Sequence, residues 1–112
     1  MSYKYNEPTD ITKEKFSQII AEGIIVSMCQ AIIDAVHYIS DYDWLLAEFR
    51  KLLNHTNAEV RGVTVSCIGH LARLNKNADK DQLLQILQPL LSDDEIAGRV
   101  EDAMDDINMF LK

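Results

Sequence analysis

The sequence predicts an all-α fold, a short α-solenoid of three antiparallel helix pairs, and three observations carry that expectation. Apolar residues recur at helical spacing along most of the chain, with no stretch of strand-like alternation. Residues suited to cap a helix, Asp10, Asp41 and Asn57, stand directly ahead of periodic runs. A segment also returns: Glu22-Gly23-Ile24-Ile25-Val26-Ser27 lies over Arg61-Gly62-Val63-Thr64-Val65-Ser66 after a shift of 39 residues, and Gly98 lies over Gly62 after a shift of 36.

The elements follow in order. Met1 to Thr9 is polar, with two tyrosines and a proline; Asp10 then caps a first helix from about residue 11 to Glu22, with Ile11, Phe16, Ile19 and Ile20 at helical spacing. Residues 24 to 39 are apolar on most sides (Ile25, Met28, Cys29, Ile32, Ile33, Val36, Ile39), the pattern of a helix covered on more than one flank. Ser40 and Asp41 start a third helix, whose stripe of Leu45, Leu46, Phe49, Leu52 and Leu53 runs out at Asn54 and His55. Asn57 caps a fourth, with Val60, Val63, Thr64, Cys67, Ile68, Leu71 and Leu74 inward and Asn75 and Asn77 at its end. After Asp79 a fifth carries Leu83, Leu84, Ile86, Leu87, Leu90 and Leu91; the last, opening at Asp93, Asp94 and Glu95, carries Ile96, Val100, Ala103, Met104, Ile107 and Leu111. Connections of a few residues make sequential helices antiparallel neighbours. The chain therefore reads as one domain, 1–112, of three hairpins spanning about 10–39, 40–75 and 78–112, each burying its face by stacking on the next.

Composition bounds the function. A 112-residue chain with 47% apolar and 26% charged residues has room for one core. Its formal charge of -7, from 18 acidic against 11 basic residues, argues against nucleic acid or an anionic membrane as partner, because both are bound chiefly through Lys and Arg. A charged partner is expected to be basic. Two cysteines are too few for a disulfide framework, and no secretory leader pattern opens the sequence, so a reducing cytoplasm is the simplest address. The longest nearly uncharged stretch, 23–33, is far below the roughly 20 residues a spanning helix requires.

The segment Val60-Arg61-Gly62-Val63-Thr64-Val65-Ser66-Cys67-Ile68-Gly69-His70-Leu71 resembles the second helix of a HEAT repeat, with a Val-Arg pair near its start and a Leu-Gly-x-Leu-like ending. Asn57 stands where that family often has its turn Asp. The resemblance implies that Arg61 is structural, bonded to acceptors in the turns. The first unit departs from the pattern, with Glu22 in the place of Arg61, and so does the third, whose Ile96-Ala97-Gly98-Arg99 lacks an adjacent Val-Arg. In size, acidity and helical repeat the chain is similar to small bacterial immunity proteins, such as those that neutralise the toxins of contact-dependent growth inhibition systems. That resemblance implies a monomer that binds one toxin domain, commonly a nuclease, over a basic cleft.

The acid is concentrated at one end. Asp93, Asp94, Glu95, Glu101, Asp102, Asp105 and Asp106 against Arg99 and Lys112 give 93–112 a charge of -5 out of the total of -7. The first three suit a helix start, where carboxylates stabilise by about 0.3–1 kcal/mol each. Glu101 with Asp105 and Asp102 with Asp106 are instead like-charge pairs four residues apart near the negative helix end, each costing about 0.2–0.5 kcal/mol. These four are either a solvated face or a surface that docks Lys or Arg of a basic partner. A carboxylate metal site is the weakest reading, since no ligand loop or histidine spacing supports it. His37, His55 and His70 are scattered, and Cys29 and Cys67 lack the basic neighbours or helix-start positions that activate a thiol; both fit a core instead. No catalytic residue, cofactor or metal is therefore expected. Tyr38, Tyr42, Trp44 and Phe49 gather near the first inter-unit turn, chiefly as packing; Tyr42 and Trp44, beside Asp41 and Asp43, are the candidate exposed anchors. The resemblance to immunity proteins implies stoichiometric inhibition of a toxin, and the acidic residues Glu101, Asp102, Asp105 and Asp106 would then form the electrostatic half of the site toward a basic partner. The rival from another class is an adaptor or subunit of a larger assembly; a HEAT-like DNA glycosylase would need a basic groove, which the net charge opposes.

Overall fold

The computed structural model describes residues 4–75 and 77–112, so 1–3 of the polar opening stretch and Lys76 lie outside the described residues. Helix α1 (Lys13–Glu22) starts at Thr12 and not at Asp10: the Thr12 hydroxyl accepts the Lys15 N–H at 3.1 Å. The reason is Ile11, which is buried and draws the chain inward just ahead of the helix. With Phe16 four positions after the cap, the pair is placed as a hydrophobic staple. Gly23 closes α1 in the left-handed conformation at φ 76°, where a side chain would be strained, and its N–H returns to the Ile19 carbonyl.

α2 (Ile25–Tyr38), α3 (Tyr42–Leu52), α4 (Ala58–Leu74) and α5 (Lys80–Leu87) follow. The expected caps form at α3 and α4: Asp41 accepts the Trp44 N–H at 3.2 Å and Asn57 those of Glu59 and Val60 at 2.9 and 3.2 Å; at α5 Asp79 also caps, accepting the Gln82 N–H at 3.1 Å. The fifth helix does not run through Leu90 and Leu91. At Gln88–Ser92 the chain tightens into a 3-10 turn, because Pro89 has no N–H to donate and its ring would crowd the preceding turn. α6 (Ala97–Phe110) then begins later than the expected start at Asp93. Asp93 is occupied otherwise: one oxygen accepts the Glu95 N–H at 3.1 Å and the other the Arg61 Nε–H at 3.2 Å.

α1 packs on α2, α3 on α4 and α5 on α6, while α4 lies between α2 and α6. Lys13 at the start of α1 reaches Asp41 beyond the end of α2 at 2.7 Å, so α1 and α2 are antiparallel. Gly62 faces Arg99 and Gly69 faces Ala103, so α4 and α6 run the same way; His37 beside His70 gives α2 the same direction. Three parallel second helices thus form one layer, with their partners outside. All regular structure among the described residues is helical. Cys29, Cys67 and Leu71 are buried in the core, with Phe16 and Phe49 fully enclosed.

Arg61 ties the turns together, as the resemblance of its segment implied. Its guanidinium donates to the His55 and Thr56 carbonyls at 2.9 and 3.0 Å, to Asp93 at 3.2 Å and to Glu95 at 3.2 Å. The superposed glycines, in contrast, do different jobs. Gly23 is a turn, Gly62 lies inside α4 against Arg99, and Gly98, on the second turn-forming position of α6, meets nothing within 4 Å.

The opening segment is held down. Asn6 and Gln30 exchange hydrogen bonds at 2.8 and 3.2 Å, and the buried Asp34 carboxylate accepts from the Thr9 N–H at 3.0 Å and from Gln30 Nε2 at 3.0 Å. A strap from residue 6 to 9 therefore runs along α2.

Candidate interaction face

α2, α4 and α6 end at Tyr38, Leu74 and Phe110, two equal steps of 36 residues. Because the helices are parallel, these last residues come to one edge of the molecule. All three are exposed there, by 51, 55 and 45%. Leu74 joins the other two: with Tyr38 and Tyr42 it borders one hollow of about 290 Å³, and with His37, His70, Arg73 and Phe110 it borders another.

His37 is the wall common to these hollows and to two more. One of these, about 410 Å³, opens between α2, α4 and α6 and is lined by Ile33, Ser66, His70, Arg99 and Asp102 among others; the other lies against the strap at Glu7 and Pro8. The His37 Nδ1–H donates to the Ile33 carbonyl at 3.0 Å, which fixes the ring in place. Its centroid stands 6.1 Å from that of His70. Burial holds His70 below the ordinary imidazole value, Arg73 and His37 add to the effect, and Asp106 opposes it.

The cations of this face are engaged. Arg99 donates to Glu59 at 2.9 Å, and the Arg73 guanidinium lies over the Phe110 ring at 5.3 Å. The expected acidic stripe is divided by the turn of α6. Asp102 borders the 410 Å³ hollow and Asp106 is half-buried near His70, whereas Glu101 and Asp105 are exposed on the flank away from it.

The two aromatic candidates are also separated. Tyr42 reaches the edge beside Tyr38 and Leu74, its phenol pushed up by burial. Trp44 faces α1, edge-on to Phe16 at 5.5 Å with Lys13 Nζ 5.4 Å above its ring. Burial raises both thiols, Cys67 to about 12, so neither is a nucleophile at neutral pH. Among the described residues no group of three or more His, Cys, Asp or Glu gathers to hold a metal, and no helix is long and apolar enough to cross a membrane.

The sequence reading sets Leu74 in the apolar period of α4, as core, where it is in fact exposed, and gives Phe110, outside the apolar set of the last helix, no role. The signal that finds them is positional: each is the last residue before a break, where the stack no longer covers it.

No family model matches the sequence, and neither does any curated protein. A solved structure does match, nearly end to end. It is a chain of the crystal structure of a CDI complex from Cupriavidus taiwanensis, with a TM-score of 0.88 at 25% identity, covering 97% of this chain and 98% of that one. The strap, the six helices and the edge thus lie within a fold already seen in a CDI complex. The resemblance drawn from size, acidity and helical repeat has a counterpart in a solved fold.

Proposed function

We propose that this chain is an immunity protein of a contact-dependent growth inhibition system, which neutralises a cognate toxin by binding it without turnover. The observation that carries the reading is the end-to-end match to a chain of a CDI complex. The charge supports its finer part. A net charge of -7, concentrated beyond residue 93, suits a basic toxin domain. A nuclease is the toxin class whose cleft must be basic, since it holds phosphates. The protein acts as a monomer, one copy per toxin, in the cytoplasm of the cell it protects, and of the residues that the sequence nominates Asp102, Asp106 and Tyr42 belong to its binding surface.

The test is a titration. The reading expects a large secreted toxin encoded next to this chain; its isolated C-terminal domain is assayed for nucleic-acid cleavage while the chain is added. Cleavage should stop at one equivalent. Inhibition that proceeds well below equimolar would mean an enzyme acting on the toxin, and binding with no loss of toxicity would favour an adaptor.

A further inference from the structure

We infer that the partner docks on the edge made by Tyr38, Leu74 and Phe110, and that its lysines or arginines are received by Asp102 and Asp106 and not by Glu101 and Asp105. This rests on the reading above, that the chain binds a basic toxin domain.

Three observations converge on that edge. The first is apolar exposure: three large side chains stand on successive helix ends, Leu74 bordering one hollow with Tyr38 and another with Phe110, and Met109 next to Phe110 in the chain is 72% exposed. The other large exposed apolar residues, Ile24 and Val26, lie at the opposite end of α2. A patch of this kind with polar surroundings is the form of an interaction site.

The second is the field of the helices. Each helix end carries about half a negative charge, and three parallel helices bring three such ends together. α2 places His37 and α4 places Arg73 in its last turn, but α6 has no basic residue there. It carries Asp106 just before that turn, and Lys112, two residues past the helix, is exposed. The end of α6 is therefore negative on the side of Asp106, while the Arg73 guanidinium over Phe110 and the exposed Lys112 are the cations already near it.

The third is the state of the charges. Arg99 is paired with Glu59 and Arg73 is folded over Phe110, whereas Asp102 and Asp106 enter no ion pair among the described residues. Asp106, one turn before Phe110, and Asp102, two turns before it on the hollow shared with His37 and His70, match a partner segment that presents an apolar side chain to the edge and Lys or Arg to the hollow behind it. Glu101 and Asp105, which also enter no ion pair among the described residues, lie on the outer flank of α6 that leads to Met109, away from the hollow that Leu74 and Phe110 border.

The experiment measures binding kinetics between the full chain and the toxin domain that it neutralises. Leu74→Arg should weaken affinity at least about 100-fold, with Leu74→Gln as the milder variant where the arginine impairs folding. Asp102→Lys with Asp106→Lys should slow association at least about tenfold and flatten its salt dependence. Glu101→Lys with Asp105→Lys changes the net charge by the same amount and should leave affinity within about threefold. Circular dichroism and melting establish that each variant folds. Leu74 variants and an Asp102/Asp106 pair that bind like the wild type, while the wild type neutralises the toxin, would overturn the docking edge and leave the immunity reading intact. Equal losses from both charge pairs would overturn the assignment of the carboxylates. A wild-type chain that binds no toxin would overturn both readings.

Discussion

Gly69 on α4 and Ala103 on α6 meet backbone to backbone: a Cβ on Gly69 would stand 3.1 Å from the Ala103 Cα. Two helices of the inner layer approach this closely only because neither residue has bulk at the crossing. Gly69→Ala should therefore destabilise by about 1–3 kcal/mol through overpacking, more than the gain of at most about 1 kcal/mol from helix propensity. Gly98→Ala, with nothing within 4 Å, should be neutral or stabilising. Urea unfolding of both variants checks the contrast, and equal behaviour would show that the close approach is not what glycine serves at 69.

Arg61 spends its guanidinium on four acceptors drawn from two turns, with its side chain only 13% exposed. Arg61→Met keeps the stem but strands the His55 and Thr56 carbonyls and the Asp93 carboxylate, and should cost about 1.5–3 kcal/mol. Glu95 is 69% exposed, so Glu95→Gln should cost less than about 1 kcal/mol. If the two variants lose equally, the carbonyl and Asp93 contacts are not the main tie.

What could be read in advance, and what could not, divides along the range of the interaction. Asp41 and Asn57 are legible as caps because a cap depends on residues two or three positions away. The contacts of Arg61 to turn acceptors match what the resemblance of 60–71 to a HEAT-repeat helix implied. Asp10 fails as a cap because burial of Ile11, a tertiary effect, shifts the start to Thr12. Asp34 gives no sign in sequence that it clamps Thr9, 25 positions away. The acidic stripe looks uniform along the chain, and only the packing of α6 on α4 separates Asp102 and Asp106 from Glu101 and Asp105.

The clamp on the strap makes its own prediction. Asp34→Ala removes the acceptor of the Thr9 N–H and the partner of Gln30, leaving a polar hole in a buried position. Stability should fall by about 1–3 kcal/mol. Hydrogen exchange gives the sharper measure: protection should vanish at Thr9 and Asn6 before it changes in α4. Retained protection at Thr9 would show that the strap is held by other contacts.

Burial pushes the Cys67 thiol up to about 12 from the ordinary value near 9, and raises that of Cys29 as well. At pH 8 both should resist a thiolate-directed reagent in the folded protein and react in denaturant. The same shift has a stability consequence. The folded state holds protons that the unfolded state releases above pH 9, so this contribution is full below about pH 9 and is lost as pH rises toward 12. Cys67→Ala should remove part of that alkaline loss, although it also opens a cavity. Rapid native labelling at pH 8 would contradict the buried placement.

His70 makes the opposite case on the acid side. Its ring is half-buried, and its pKa is held below the ordinary value by burial first, then by Arg73 and His37, against the pull of Asp106; Asp102, Arg99 and His37 share its hollow. The unfolded histidine takes up a proton near pH 6.5 and the folded one only lower. Between those values the unfolded state binds more protons, so stability present above about pH 6.5 should fall as pH drops through the folded pKa. His70→Gln should flatten that fall. Asp106→Asn should deepen it, because removing the one opposing anion lowers the folded pKa further. The midpoint is read directly from the imidazole Cε1 proton shift, and a His70 midpoint at or above about 6.5 would mean that the ring is not desolvated between α4 and α6 as the structure places it.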